Sequence, residues 1–242
     1  MKIWTYEEIE DRVRRDLDLE DAGNFVQNDE MVSYCNEAID DAESEILKLN
    51  EDYFLTSASL ALVSSTSSYS LPTDIYGQKV RSIIYANGAK IYEVRRIRDP
   101  HKFLNKALQD YLPNAAQELE YILKSATAGA QDNLVFVPTP QESGSYITIW
   151  YIRNAKRVPL VGEDSATRTT QLAVTLDLPE WADYIVQYMK CRCYEKELDP
   201  RLNAAMAALA AKKEKLVSVL SDRVPDNDDT VPMDVGHYEE HS

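Results

Sequence analysis

The sequence predicts an α+β protein: a four-helix core built from both chain ends, an inserted β-rich domain and an extended acidic C-terminal tail. Three observations carry this reading. Apolar residues recur at helical spacing before residue 53 and again after residue 177. Between those stretches the period shortens, and β-rich runs are broken by Ser, Pro and Asn-Gly punctuation. The final residues keep neither period and carry mostly acids. The expected divisions are 1–53 for the first half of the helical core, 54–176 for the insert, 177–222 for the second half and 223–242 for the tail.

The first helix is signalled by its start. Thr5 with Glu8 forms a capping box, and Trp4 before the cap can staple onto Ile9. Tyr6, Ile9, Val13 and Leu17 then share one face. Ala22-Gly23-Asn24 breaks the pattern, and a second helix begins near Asn28. Its seam is Val32, Cys35, Ile39, Ala42, Ile46 and Leu49. The opposite face, with Asp40, Asp41, Glu43 and Glu45, reads as solvated surface.

Residues 54–63 alternate loosely, Ser64-Ser65-Thr66-Ser67-Ser68 turns, and 69–74 are extended, with Pro72 confining them to a sheet edge or strand end. Residues 80–85 and 90–94 flank Asn87-Gly88, the pair suited to a type I′ turn, and predict a hairpin. Residues 101–111 read as helix, stopped by Pro113. Strands are expected over 134–137 and 146–152, and 163–175 reads as polar and irregular. Pro179 sits where a first-turn proline belongs, with Asp177 as the cap. Trp181, Tyr184, Ile185, Tyr188 and Cys191 make an aromatic stripe. Core packing explains it better than a stacking platform, since the stripe is continuous with apolar partners and none of its own positions is basic. After Asp199-Pro200, Leu202, Ala205, Met206, Leu209, Leu216, Val217 and Leu220 line a last helix.

Composition closes off many functions. Lys+Arg 26 against Asp+Glu 41 leaves a net charge of -15, a field that repels phosphate and argues against a sequence-reading nucleic-acid binder. No apolar run reaches the roughly eighteen residues of a membrane span. The opening Met-Lys-Ile-Trp-Thr-Tyr-Glu-Glu lacks a signal-peptide core, so the expected site of synthesis is a cytoplasm. Cys35, Cys191 and Cys193 are too few and too oddly spaced for a disulfide or metal framework and read as buried, inert thiols. The chain has no GxxxxGK[ST], GxGxxG or GxSxG motif and no histidine pair at ligand spacing. Paired acids such as Asp40 with Asp41 diverge on a helix, and Asp228 with Asp229 lack burial, so a carboxylate hydrolase is disfavoured. No catalytic site, metal site or cofactor is expected.

Charge is unevenly spread. From Lys79 to Lys106 there are eight bases against two acids, a local +6. Arg95, Arg96, Arg98 and Lys102 are expected to form an inter-protein contact. Closely spaced arginines repel one another unless acids stand nearby, and the guanidinium suits bidentate carboxylate contacts. Opposed charge on separate pieces of one chain suits head-to-tail self-association.

Several segments, in order, resemble one family. They are Met31-Val32-Ser33-Tyr34-Cys35-Asn36-Glu37-Ala38-Ile39, then Tyr69-Ser70-Leu71-Pro72-Thr73-Asp74, then Phe136-Val137-Pro138-Thr139-Pro140 with Ile147-Thr148-Ile149-Trp150-Tyr151. Last come Leu178-Pro179-Glu180-Trp181 and Tyr194-Glu195-Lys196-Glu197-Leu198-Asp199-Pro200. Together they resemble the head-to-tail adaptor (connector) proteins of tailed bacteriophages, especially short-tailed ones. The resemblance implies a structural virion protein in the neck, assembled in the host cytoplasm as a ring, commonly of twelve copies, beneath the portal protein. Such a ring extends the DNA channel without sequence-specific binding and offers a docking site for a tail tube or nozzle protein. The family's C-terminal extension often reaches the portal. Here the tail has Val224, Val231, Met233, Val235 and Tyr238 spaced singly among six acids and two prolines. That composition cannot form its own core, so the tail is expected to order only against the portal or an adjacent copy. Rival readings are a tail-tube or tail-completion protein, and an acidic DNA mimic, which the +6 hairpin argues against.

Overall fold

The structure, a computed structural model, describes residues 2–19, 26–88, 90–99, 101–102, 104–105, 119–125, 133–141, 144–160 and 167–221. It has the expected α+β architecture. Helix α1 (Tyr6–Asp16) starts with the capping box: the Thr5 N–H donates to Glu8 Oε2 at 3.2 Å, and the Glu8 N–H donates to Thr5 Oγ1 at 3.3 Å. Tyr6, Ile9 and Val13 are buried from its inner face. Helix α2 (Asn28–Leu49) buries Val32, Cys35, Ile39, Ala42 and Ile46, the spacing that the seam required.

Near the C-terminus, a 3₁₀ turn (Pro179–Trp181) leads into the penultimate long helix, Ala182–Glu197, and then the last one, Leu202–Ser221. A five-residue helix, Arg168–Leu172, precedes them inside a stretch expected to be irregular. In chain order these are α3 (Arg168–Leu172), α4 (Ala182–Glu197) and α5 (Leu202–Ser221). Trp181, Tyr184 and Ile185 are fully or almost fully buried, as core packing required. Two expectations need correction. Leu178, and not Asp177, is the residue before the first turn, because the Asp177 carboxylate is turned toward Arg153 and the Lys156 N–H. In α5 only Ala205 and Leu220 of the apolar line are buried, and Met206 is 54% exposed. A period shows which residues share a face but not how much of that face a neighbour covers.

Helix direction follows from the side-chain pairs. Tyr184 meets Asp41, Arg192 meets Glu37 at 2.9 Å and Lys196 meets Glu30 at 2.6 Å, so α4 runs antiparallel to α2. Helix α5 returns along α4, with Gln187 donating to the Ala205 carbonyl and Lys212 to that of Asp183. It therefore ends at the end of the bundle where α2 hands the chain to the sheets.

The insert is two four-stranded sheets. The first contains β1 (Leu55–Ala61), β3 (Ile75–Asn87), β4 (Lys90–Glu93) and β8 (Tyr146–Arg153), in the order β1-β8-β3-β4. The second contains β2 (Ser68–Ser70), β5 (Arg95–Arg96), β6 (Glu120–Lys124) and β7 (Asn133–Val137), in the order β2-β7-β6-β5. Their inner faces share one core, including Ile83, Ile147 and Ile149 from the first sheet and Tyr121, Leu134 and Phe136 from the second. As Pro72 demanded, β2 is an edge strand that ends before it. The hairpin forms one residue later than expected: Asn87 pairs with Lys90, so Gly88, at φ +43°, opens the turn. Strand β6 and the short β5 had no clear sequence signal. Of the helix expected over 101–111, His101, Lys102, Leu104 and Asn105 are helical, and the remainder lies outside the described residues.

Candidate interaction surfaces

The chain crosses between helices and sheets at 50–54 and 153–158, and both crossings are fastened by α2 or its exit. Its acidic face is not the solvated surface expected. Asp41 accepts hydrogen bonds from the Tyr184 hydroxyl and from Lys213 Nζ at 3.0 Å. Burial pushes the Tyr184 phenol far above its ordinary range, and donation to Asp41 adds to the shift. Glu45 accepts from Lys48 and Lys213, which hold its carboxyl below the ordinary value. Glu43 is 3% exposed and accepts the Ala155 N–H at 2.5 Å. Burial raises its carboxyl, opposed by that N–H and by Arg157. Asn36 clasps Val158 twice, donating to its carbonyl at 2.8 Å and accepting its N–H at 2.9 Å.

Ion pairs add to these contacts at the joint. Arg157 pairs with Asp40, and Arg153 pairs with Asp177. At the first crossing, Glu51 binds Lys79 and Arg81, and Arg81 also binds Asp52. Two of the eight bases counted in the sequence are thus consumed internally. A cleft of about 700 Å³ opens beside the joint, and it holds both carboxylates, Asp74 and Asp177, together with Arg153, Lys156 and Arg157. The helical half has a comparable buried network. Glu10, 1% exposed, accepts from Arg14 at 2.7 Å and from Arg168, whose guanidinium also lies over the Tyr6 ring.

The β4–β5 flank of the sandwich is built differently. Residue 94 alone separates the two strands, so one continuous run of chain is the edge of both sheets. Arg95 and Arg96 form β5, Arg98 and Lys102 follow it, and all four are exposed. Their side chains make no hydrogen bond or ion pair among the described residues. By contrast, Arg12, Arg14, Arg81, Arg153, Arg157, Arg168, Arg192 and Arg201 each hold a carboxylate. Arg15 is the remaining described arginine without one. Three of the four described arginines without a carboxylate partner therefore fall within residues 95–98. The parallel register brings Arg95 opposite Glu120, and Glu93 and Asp99 are the nearby acids in sequence.

The outward face of the first sheet is a second uncovered surface. Trp150 is 38% exposed between Ser57 and Ser82, and Tyr146 is 57% exposed between Ala61 and Ala86. Ile91, paired with Ala86, is 75% exposed. Flanking residues this small leave the large rings standing clear of the sheet. Sequence reasoning missed this surface, since strand alternation distinguishes two faces without saying which is covered. The five candidate residues of the tail, Val224, Val231, Met233, Val235 and Tyr238, lie outside the described residues.

The cysteines are buried, with Cys35 and Cys193 pushed up by burial, the latter to about 12. Among the described residues, no group of three or more His, Cys, Asp or Glu side chains could hold a metal ion, and no helix is long and apolar enough to cross a membrane. What is present is a braced helical body, a sandwich fastened to it, and two surfaces that nothing covers among the described residues. The SU10 adaptor protein family matches residues 4–235, and the chain belongs to that family. It is a phage head-to-tail adaptor, a structural protein of the virion and not an enzyme. No curated protein matches the chain.

Proposed function

We propose that the chain is the ring-forming subunit of the phage neck, with about twelve copies assembled beneath the portal protein, as closed heterologous contacts allow. The observation that carries this reading is the family match across 4–235, which spans the helical body, the sandwich and most of the tail. The ring extends the DNA channel, and its net charge of -15 per copy lets DNA slide without sticking to the wall. The β sandwich presents the docking surface for a tail tube or nozzle protein. Arg95, Arg96, Arg98 and Lys102 lie at an inter-protein contact, and Val224, Val231, Met233, Val235 and Tyr238 are held by the portal or an adjacent copy.

Assembly is triggered by the portal, because like charge on every copy opposes spontaneous crowding. Sedimentation of the purified chain at moderate salt should show monomers or small oligomers, with rings appearing when portal is added. Rings that form without portal would remove the trigger and leave the ring. Failure to join portal under any condition would point instead to a tail-tube or tail-completion role.

A further inference from the structure

We infer that the uncompensated β4–β5 flank binds the acidic C-terminal segment, residues 226–240, of the neighbouring copy. The inference rests on the ring reading and names the partner of its basic contact. Charge complementarity is the first argument. Arg95, Arg96, Arg98 and Lys102 are exposed and make no ion pair among the described residues, whereas residues 226–240 carry Asp226, Asp228, Asp229, Asp234, Glu239 and Glu240 and no Lys or Arg. A guanidinium suits a carboxylate in geometry as well as in sign.

The second argument is where the tail starts. Helix α5 ends at Ser221, at the end of the bundle where α2 passes into β1. The tail therefore leaves the helical body on the side of the sandwich. Twenty-one residues follow Ser221, enough to span roughly 70 Å if extended, so reach is no obstacle. The sandwich has two flanks, β1 with β2 and β4 with β5, at opposite ends of the strand orders. A head-to-tail ring sets opposite flanks of adjacent copies against each other. A tail leaving one copy thus meets the basic flank of the next without wrapping around its own sandwich. The family match continues past Ser221 to residue 235, which makes four of the six acids part of the adaptor unit.

The test uses charge swapping in the full-length chain. One variant carries Arg95→Glu, Arg96→Glu and Arg98→Glu. The other carries Asp226→Lys, Asp228→Lys, Asp229→Lys and Asp234→Lys. Each alone should reduce portal-dependent ring formation about tenfold or more at low salt, with folding unchanged by circular dichroism. The decisive experiment mixes the two variants in equal amounts. If the tail binds a neighbour, an alternating ring sets the altered patch of one variant against the altered tail of the other and the two unaltered partners against each other, and rings recover. If the tail binds its own chain, mixing rescues nothing, and the inference is overturned. It is also overturned if the arginine variant assembles normally. If the wild-type chain itself never assembles on portal, the ring reading has failed instead, a result separable from either outcome above.

Discussion

The helical body and the β4–β5 flank handle charge in opposite ways. In the body, α2 alone engages Glu30, Glu37, Asp40, Asp41, Glu43 and Glu45 with partners from α4, α5 and the returning chain. On the flank, three neighbouring arginines have no such partner among the described residues. A chain that pairs its charges this thoroughly elsewhere is not short of acids. The contrast separates charge used for internal fastening from charge that no described residue neutralises, which is the charge the proposal assigns to another molecule. Exposed pairs contribute little to stability, so the fastening resides in the buried groups, and removing one flank cation should change stability by no more than about 0.5 kcal/mol.

The largest expected effect sharpens this comparison with a single residue type. Trp181 is fully buried and packs edge-on against Tyr184, with ring centroids 5.3 Å apart. Trp150 stands on the open face of the first sheet. Trp181→Ala should cost about 3–5 kcal/mol by urea denaturation, from lost transfer energy and the cavity left behind. Trp150→Ala should stay within about 1 kcal/mol of wild type and yet impair incorporation into particles. Equal losses of stability in the two variants would show that the sheet face is part of the fold's support, and the two-region contrast would collapse.

Much of the fold was legible because its signals are local. The Thr5–Glu8 box, the α2 seam, Pro72 at a strand end and Asn87-Gly88 each act over a few residues. The failures share a different physical origin. Glu43 and Asp41 looked like solvent-facing acids because their partners, the Ala155 N–H and Tyr184, are more than a hundred residues away in sequence. Strand β6 was missed because Glu-Tyr-Ile-Leu-Lys has only one well-buried position, Tyr121, and so lacks a plain alternation. Asp177 looked like a helix cap from its place before Pro179, but Arg153 from the returning strand claims it. For the candidate site, the positive charge of residues 95–102 could be counted from the sequence. That their neighbours Lys79 and Arg81 were already spoken for could not.

A smaller effect is expected within the fastening network. Tyr184→Phe keeps the ring and its packing against Trp181 while removing the hydroxyl that donates to Asp41. Asp41 then retains Lys213 at 3.0 Å. A hydrogen bond to a charged acceptor contributes about 1.5–3 kcal/mol, and the surviving lysine should keep the loss near the lower end. Double-mutant cycles with Lys213→Ala measure the coupling directly. Additive losses would mean the two donors act separately, and Asp41 would not be the hub of the joint.

The smallest change at neutral pH, and the most diagnostic one, is Glu43→Gln. Burial raises the Glu43 carboxyl above its ordinary value of 4.5, with Asp40 and Asp177 adding to that shift and the Ala155 N–H and Arg157 opposing it. The folded protein therefore holds this proton to higher pH than the unfolded chain does. Between the ordinary value and the raised one, the native state binds more protons, so stability falls as pH rises. The contribution is complete below about 4.5, the ordinary value, and is lost as pH climbs through the raised folded value. Glutamine keeps a carbonyl oxygen for the Ala155 N–H but cannot titrate. The stability of wild type relative to Glu43→Gln should then decline from acid to neutral pH, leaving the variant equal or more stable at the upper end. Glu30, Glu45 and Glu51 are lowered by their lysine and arginine partners, so they contribute the opposite slope to both proteins and cancel in the difference. A difference that instead grows with pH would show that Arg157, at 3.9 Å from Glu43 Oε2, outweighs burial. The joint would then be an ion pair, and the internal fastening of the body would rest on charge more than on the hydrogen-bonded, buried acid described above.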